Sequence, residues 1–508
     1  MVGIHLDLKY LMPRKSYLSE WVRRLPQFGI NTLLLEYEDR FPFGKYRFLR
    51  SSEGFTEEEL RAFLAAARGA GLRVIPLVQS LSHLEFALAH KELAHLRELP
   101  HILTQIDPSN PAAVAFVGEL MDEVLAFHEE DEFFHVGADE AWHLGRNPEN
   151  AGKLRELGAV GLWMDHVRKI AARMIARGKR PMVWDDIFWK SPETFASAGL
   201  PKEAVLVSWN YVVRKLKEDG SSLRHVDVYR QAGYEVVGAP CHDWGVLVPM
   251  HRHCLENTMA WAQKARQAGM LGLLNTAWAC FHTLLPTETL YAAATAEALR
   301  QPTGEVSRAW QLQFLEREFG AEPEGLPEAL EDLSANWEQA VPGLERPLTP
   351  ILYNYMDLVL HFDSFAQRQA VGVYPPEWGQ VDFVEVYRKK MRKLREASTR
   401  GEFPAKLEEL RGKYERARAR LTKLAREATV RKEEARLLSF FADLKALHVP
   451  VVECLVLGKG SAQDCLEGLA QLQPKLDSAL RPFVEEPTLH KLRRIWWEPA
   501  LGALSSPL

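Results

Sequence analysis

The first 300 residues or so alternate short apolar runs with segments in which apolar residues recur at helical spacing. Short apolar runs bounded by turn residues are typical of buried strands, whereas a 3.6-residue period is typical of helices that pack on them. The predicted strands are Val2–Leu6, Thr32–Tyr37, Arg73–Val78, Phe133–Val136, Pro181–Trp184, Ala204–Trp209, Tyr234–Ala239 and Leu271–Trp278. Helical segments lie between them, and the last helix is Thr287–Leu299. Eight strand–helix units predict a (β/α)8 TIM barrel over residues 1–302, with a doubly wound sheet as the alternative.

From Thr303 onward the pattern is helical almost throughout, which predicts a mostly α-helical C-terminal domain over residues 303–508. Its predicted helices are Arg308–Phe319, Pro350–Arg368, Val381–Thr399, Ala405–Leu424, Lys432–Ala446 and Ser461–Leu480. Charges of both signs are interspersed over Lys406–Arg431, which favours the solvated face of an antiparallel helix pair over a coiled coil or a nucleic-acid-binding arm. These helices could pack beside the barrel or form the interface of a homodimer, and the sequence favours neither.

The amino-acid composition and the charge argue against several classes of protein. A net charge of -5 gives no reason to expect nucleic acid or an anionic membrane as a partner. No uninterrupted apolar stretch reaches the length of a membrane span, and the amino terminus starts with a strand-like run, so we expect neither a membrane segment nor a signal peptide. The five cysteines are scattered and lack any CxxC spacing, which indicates a reducing compartment and a cytoplasmic protein.

Reactive side chains follow the predicted strands at their carboxyl ends, where barrel enzymes carry their active sites. These residues are Glu36, Glu38, Asp39, Gln79, His83, Asp139, Glu140, Trp184, Asp185, Asp186, Trp209, Tyr211, His242, Asp243, Trp244 and Trp278. Asp139 and Glu140 are adjacent after an apolar strand, where desolvation and mutual repulsion make a purely structural role costly. They can face one ligand only if the strand has already bent into a loop. Clustered tryptophans and carboxylates at a barrel mouth suit a sugar, whose C–H faces pack on indole rings.

The run His135-Val136-Gly137-Ala138-Asp139-Glu140 resembles the His-x-Gly-Gly-Asp-Glu signature of family 20 glycoside hydrolases, the β-N-acetylhexosaminidases, with Ala138 at the second glycine. Four further segments resemble the hexosaminidase D type branch: Ile4–Lys9, Leu35–Asp39, Gln79 with His83–Glu85, and Trp209–Tyr211. Together with the six-residue motif, the resemblance covers roughly residues 1–300. Other members have an arginine near the end of the first strand that holds sugar hydroxyls, whereas this chain offers Asp7 or Lys9.

The resemblance implies an exo-acting, retaining enzyme that removes terminal N-acetylglucosamine or N-acetylgalactosamine by substrate-assisted catalysis. Glu140 would be the general acid and base, while Asp139 and Tyr211 would hold the 2-acetamido group as its carbonyl attacks the anomeric carbon. Residues expected to contact or support the sugar are Trp184, Trp209, Trp244, Trp278, His83, His135, Glu36 and Asp7. The mechanism needs no cofactor. A metal site at His242, His251 and His253 is the weaker hypothesis, because no HExxH spacing occurs.

Two alternatives stay open. One is a conventional double-displacement glycosidase with Asp185, Asp186 or Asp243 as nucleophile. The other is a catalytically silent sugar-binding or scaffold protein whose helical C-terminal half is the working part.

Overall fold

The computed structural model describes residues 1–9, 11–189, 194–195, 199–212, 223–244, 248–278, 284–335, 383–398 and 403–505. The strands are β1 Val2–Asp7, β2 Thr32–Glu36, β3 Arg73–Leu77, β4 Phe133–His135, β5 Arg180–Trp184, β6 Val205–Trp209, β7 Glu235–Ala239, β8 Cys241–Trp244 and β9 Gly272–Trp278. The helices up to the end of the barrel are α1 Lys15–Arg24, α2 Glu57–Gly69, α3 Glu85–Leu88, α4 Pro111–Leu125, α5 Ala151–Ala176, α6 Arg224–Gln231, α7 His251–Ala268 and α8 Leu285–Arg300.

The strands close into a parallel barrel. Neighbours follow the chain order from β1 to β7, β9 pairs with β7, and β9 also pairs with β1. The pairing of β1 with β2 brings Asp7 level with Glu36 at the carboxyl end. The short strand β8 follows Pro240 and pairs with the carboxyl half of β9, outside the eight-stranded ring. The predicted TIM barrel is therefore confirmed, and the doubly wound alternative is excluded because an open sheet has two unpaired edges.

Apolar side chains on the two faces of the strands form two layers of core. Inside the barrel lie Leu34, Ile75, Leu77, Phe133, Met182, Trp184, Val205, Val207, Val237, Ala239 and Leu274. The other strand face packs against the surrounding helices in a second, larger cluster. Helix boundaries follow local chemistry, as at α2, where Thr56 and Glu59 form a reciprocal capping box. Such strands read as near-continuous apolar runs because both of their faces are covered.

Helices continue beyond the barrel: α9 Arg308–Phe319, α10 Leu326–Ser334, α11 Phe383–Ser398, α12 Phe403–Glu427, α13 Lys432–Val452, α14 Ala462–Leu480, α15 Glu486–Trp496 and α16 Glu498–Leu504. The predicted helix Pro350–Arg368 lies outside the described residues. The charged helix α12 packs along α13 and buries its apolar stripe, as expected for a helix with one solvated face.

The helical region packs on the barrel. One continuous hydrophobic cluster includes Leu18 and Leu290 from barrel helices together with Leu438 and Leu489 from C-terminal ones. A buried ion pair joins Arg24 on α1 to Glu434 on α13 at 3.0 Å. The C-terminal helices therefore pack beside the barrel, which is one of the two arrangements that the sequence left open. A homodimer and a domain boundary near residue 302 stay predictions. Over the residues described, we find no helix both long and apolar enough to span a bilayer.

Candidate active site

The chain turns sharply directly after β4, at the carboxyl end of the barrel. Gly137 has a φ of 64°, Ala138 a φ of 74° and Glu140 a φ of 49°, all in the left-handed region that L-residues rarely adopt. This turn satisfies the requirement that the strand bend before Asp139 and Glu140, so both carboxylates can reach one pocket. Strained backbone of this kind persists only where the surroundings hold it in place, and it concentrates at functional sites.

Neighbouring side chains bind the backbone of this turn at nearly every residue. From β3 and the loop after it, Gln79 Oε1 accepts from the Ala138 N–H at 3.3 Å, and Ser82 Oγ donates to the Asp139 carbonyl. From α5, Trp163 Nε1 donates to the Ala138 carbonyl at 2.7 Å. After β5, Asp186 Oδ2 accepts from the Glu140 N–H at 3.0 Å. Three neighbouring elements therefore determine where the two carboxylates point.

The carboxylates share one histidine. His83 Nε2 lies 3.4 Å from Asp139 Oδ2 and 3.4 Å from Glu140 Oε2. Asp139 is 6% exposed, and its Oδ1 has no hydrogen-bond partner among the described residues. The Glu140 side chain is 38% exposed. One carboxylate is thus held deep with an unused acceptor, while its neighbour faces the solvent-accessible opening.

The charged side chains around the turn shift the pKa values of His83 and Asp186. Burial alone would lower the pKa of His83, but the charge of Asp139 and hydrogen bonds to Asp139 and Glu140 raise it well above its usual value. Burial, together with the negative charges of Asp139 and Glu140, raises the pKa of Asp186 well above its usual value. The environment therefore favours the cationic form of His83 and the protonated form of Asp186.

An aromatic wall lines the opposite side of the barrel mouth. Trp209 lies against Tyr211 with ring centroids 5.1 Å apart, and Trp278 Nε1 donates to Tyr211 Oη at 3.0 Å. Trp278 contacts Trp184 at a centroid distance of 6.0 Å, and Trp184 contacts His135 at 4.4 Å. Trp209 and Trp278 keep partly exposed faces, whereas Trp184 is fully buried beneath them. Burial lowers the pKa of His135 to about 3, so its imidazole is neutral, and its Nδ1 accepts from the Gly137 N–H at 3.0 Å.

A buried lysine and several carboxylates occupy the ends of β1 and β2. Lys9 Nζ lies 3.0 Å from Glu38 Oε1, and the Lys9 N–H donates to Asp7 Oδ1 at 2.8 Å. Glu36 lies 3.2 Å from His5 Nε2 and accepts from Gln79 Nε2 at 3.2 Å. Burial would raise the pKa of Glu36, but the charge of Lys9 and the contact with His5 lower it to about 2. Gln79 thus joins this charged edge to the Gly137–Glu140 turn.

The remaining predicted residues lie elsewhere or outside the described part. Asp185 is fully buried, accepts from Trp189 Nε1 at 2.9 Å, and has a pKa raised by burial to about 7. His242 contacts Asn275 and Glu288, His251 contacts Tyr291 and Gln311, and His253 contacts the Tyr211 carbonyl. The structure does not bring these histidines together, and no cluster of three or more metal-ligating side chains occurs where the chain is described. The side chains of Asp243 and Trp244 lie outside the described part.

Comparison with known proteins places this barrel mouth in a family. The catalytic-domain model of glycosyl hydrolase family 20 matches residues 41–281. Hexosaminidase D of Bos taurus is 33% identical over 290 residues, which cover 54% of this chain and 83% of that protein. The chain belongs to glycosyl hydrolase family 20. Hexosaminidase D of Homo sapiens is 35% identical over 289 residues, but this chain spans only 59% of its length.

Solved structures support the family fold. A chitobiase from Flavobacterium johnsoniae superposes with a TM-score of 0.50 at 18% identity, covering 92% of this chain and 74% of that one. The crystal structure of a β-N-acetylhexosaminidase gives a TM-score of 0.51, also at 18% identity, over 64% of this chain and 78% of that one. At such low identity the likeness shows the fold alone.

Several residues that build this candidate site gave no signal in the sequence. Ser82 and Trp163 bind the turn only through backbone carbonyls, and residues of their kind occur in any loop or amphipathic helix. The sequence suggests Asp186 as a possible nucleophile, whereas in the structure it accepts a hydrogen bond from the Glu140 N–H. Lys9, by contrast, can be recognised in the sequence, because a charged residue so close to the end of a buried strand needs a partner.

Gly137→Ala tests the turn. A methyl group at Gly137 would overlap Gln79 Oε1 and lie 2.7 Å from Gln79 Cδ, at a φ of 64°. Gly71→Ala is the matched control, because its φ is 91° and nothing lies within 4 Å of the added atom. We expect Gly137→Ala to lower the free energy of unfolding in urea by about 1–3 kcal/mol more than Gly71→Ala, the usual cost of overpacking. Equal losses would contradict the close approach of Gln79.

His83→Gln tests the shared cation. A histidine whose folded-state pKa is raised stabilises the protein fully below its unfolded pKa of about 6.5, and this stabilisation is lost as the pH rises through the folded-state value. The stability advantage of the wild type over His83→Gln should therefore be largest at pH 6 and should shrink steadily towards pH 10. Urea unfolding of both proteins across this range measures it. An advantage that grows with pH would refute the ion-pair geometry.

Proposed function

We propose that this chain is an exo-acting β-N-acetylhexosaminidase that uses the retaining, substrate-assisted mechanism. The observation that carries the proposal is the pair Asp139 and Glu140, held side by side with one buried and one accessible carboxylate. Family membership supports the reaction class, and the partly exposed faces of Trp209 and Trp278 suit the apolar face of a pyranose. Terminal N-acetylglucosamine or N-acetylgalactosamine residues of glycosides and oligosaccharides are the proposed substrates.

Glu140 is the proposed general acid and base. Its side chain is accessible from the opening, while its backbone is anchored by Asp186, so the carboxyl group has a defined position beside the glycosidic oxygen. It donates its proton to the leaving group and later removes a proton from water. His83 contacts Glu140 on the Asp139 side and supports the carboxylate form that exists between these two steps.

Asp139 and Tyr211 are proposed to hold the 2-acetamido group. The unused Oδ1 of Asp139 is an acceptor suited to the acetamido N–H, and its charge stabilises the oxazolinium ion that forms when the acetamido oxygen attacks the anomeric carbon. Burial raises the pKa of Tyr211 well above its usual value, so the phenol stays protonated and can donate to the acetamido oxygen. The two residues thus fix the nucleophile that the substrate itself carries.

The charged edge at β1 and β2 is proposed to bind sugar hydroxyls. The surrounding carboxylates outweigh the effect of burial and raise the pKa of Lys9 well above its usual value, so Lys9 is a permanent donor. Glu36, ionised because of its low pKa, is a permanent acceptor, and Asp7 lies beside it. This edge takes the place that an arginine holds in the family members to which the motif is similar. Trp184 and His135 support the pocket from below.

The geometry argues against a conventional nucleophile. Double displacement needs a carboxylate about 5–5.5 Å across the sugar from the acid. Asp185 is fully buried beside Trp189 and His225, and burial raises its pKa to about 7, which makes the carboxylate less favourable than in an exposed aspartate. Asp186 accepts a hydrogen bond from the backbone N–H of Glu140, and its raised pKa disfavours the carboxylate form that a nucleophile needs. A silent sugar-binding protein would not need strained backbone beneath two adjacent carboxylates.

The state of the cysteines supports a proposal for the cellular compartment in which the enzyme works. Cys454 and Cys465 are free thiols, which suits a reducing compartment, and we propose that the enzyme works in the cytoplasm. The mechanism needs neither a cofactor nor a metal ion.

Glu140→Gln is the direct test of the acid. It should lower kcat about 10²–10⁴-fold on a glycoside with a poor leaving group. The loss should be much smaller on an activated aryl N-acetylglucosaminide, whose departure needs little protonation. Initial rates on both substrates, with thermal unfolding as the folding control, measure the difference. Equal losses on the two substrates would remove Glu140 from this role.

The substrate itself tests the assisted mechanism. A β-glucoside with a 2-hydroxyl in place of the acetamido group lacks the internal nucleophile, whose positioning can contribute about 7–11 kcal/mol. We expect this glucoside to be nearly inert, while the matching N-acetylglucosaminide is hydrolysed. An acetamido-thiazoline that imitates the oxazolinium intermediate should inhibit. Efficient hydrolysis of the plain glucoside, or a covalent glycosyl adduct on Asp185, Asp186 or Asp243, would support double displacement instead.

A further inference from the structure

The C-terminal segment that runs through α15 lies against the barrel mouth, far along the chain from the loops it contacts. The Arg14 N–H donates to the Phe483 carbonyl at 2.7 Å, and the Glu485 N–H donates to the Met12 carbonyl at 3.1 Å. Pro13 and Val484 form an antiparallel bridge between the same stretches. The loop after β1, which carries Lys9, is therefore bound backbone to backbone by residues near the end of the chain.

Thr488 joins both mouth loops to α15. Its hydroxyl accepts from the Met12 N–H at 3.0 Å and donates to Glu53 Oε2 at 2.6 Å. Met12 belongs to the loop after β1, and Glu53 belongs to the loop after β2. Thr488 is fully buried and Glu53 is 3% exposed. One hydroxyl thus serves as acceptor for one loop and as donor to the other.

Lys491, one turn further along α15, completes the junction. It forms an ion pair with Glu53, whose other close cation is Arg40 at 2.8 Å, and Arg40 in turn pairs with Asp39. Burial would raise the pKa of Glu53, but Arg40 and Lys491 lower it below its usual value, so the carboxylate is charged. A buried charge of this kind is stable only with its partners in place.

The junction lies next to the edge proposed to bind sugar hydroxyls. Glu38 directly precedes Asp39 and Arg40 in one short 3₁₀ turn and has a φ of 48°. Its carboxylate pairs at 3.0 Å with Lys9, which lies in the loop after β1. The geometry of the Lys9–Glu38 pair depends on the relative position of the two loops, and Thr488 of α15 binds both of them.

We infer that Thr488 and Lys491 are positioning residues for the sugar-binding edge, so that the C-terminal helical region is a working part of the active site. They act through Glu53 and Met12 on Glu38 and Lys9 and do not themselves contact the substrate. The inference rests on the proposed function. Because the edge would bind hydroxyls equally in the ground and transition states, losing its alignment weakens substrate binding and leaves the chemical step intact.

Thr488→Val and Lys491→Met test this inference in the full-length protein. Each should raise KM for a chromogenic N-acetylglucosaminide about tenfold, as for the loss of one hydrogen bond to a charged group, with kcat changed less than about twofold. Thr488→Ser and Lys491→Arg should restore KM, because they keep the hydroxyl and the charge. Arg493→Met is the control on the same helix: it removes an ion pair with Asp477 of α14 and should leave KM unchanged.

Amide hydrogen exchange supplies a readout that is independent of activity. Residues 11–15 and 38–55 should exchange faster in Thr488→Val than in the wild type or Arg493→Met, while β4 and β5 should not change. An unchanged KM with unchanged exchange in these loops would overturn the inference. So would a fall in kcat at constant KM. A wild-type protein inactive on every N-acetylhexosaminide would instead refute the proposed function, and the exchange result would still decide whether α15 holds the loops.

Discussion

The left-handed turn from Gly137 to Glu140 is the constraint on which the rest of the site depends. A strand sends successive side chains to opposite faces, so two adjacent carboxylates reach one pocket only where the backbone leaves the strand. The turn does this at an energetic cost, and it persists because Gln79, Trp163 and Asp186 each satisfy one of its backbone groups. Only glycine fits at residue 137, where Gln79 approaches the backbone. The geometry of the pocket therefore follows from contacts of the turn with the loops after β3 and β5 and with helix α5.

Electrostatics then divides the roles of similar groups. Asp139, Glu140, Asp185 and Asp186 are all carboxyl groups at the ends of β4 and β5, yet their surroundings differ. Burial favours the protonated form of Asp185 and Asp186, whereas the His83 cation lies against Asp139 and Glu140. At the ends of β1 and β2, Lys9 keeps Glu36 ionised. The barrel mouth thus has one edge of fixed charges, one pair of carboxylates and one aromatic wall.

Much of this could be predicted from the sequence because the relevant signals are local. Eight short apolar runs indicate strands that are buried on both faces, and the segments between them show the 3.6-residue period of helices. A barrel is the closed arrangement that buries both strand faces. The motif from His135 to Glu140 marked the site, since adjacent carboxylates at a strand end have few structural explanations. The anchors could not be predicted in the same way. Ser82 and Trp163 bind backbone carbonyls, and a carbonyl is the same group in every residue.

The sequence by itself determined the fold class, the family and the two carboxylates, because periodicity and a contiguous motif are carried by neighbouring residues. Tertiary structure alone decided which carboxyl groups have raised pKa values, since burial and partner charges come from residues far apart in the chain. It also decided the place of the C-terminal helices. Thr488 meets Met12 and Glu53 across more than 400 residues, and no local pattern records such a contact. These residues lie together at the barrel mouth because of the fold, although they are far apart in the sequence.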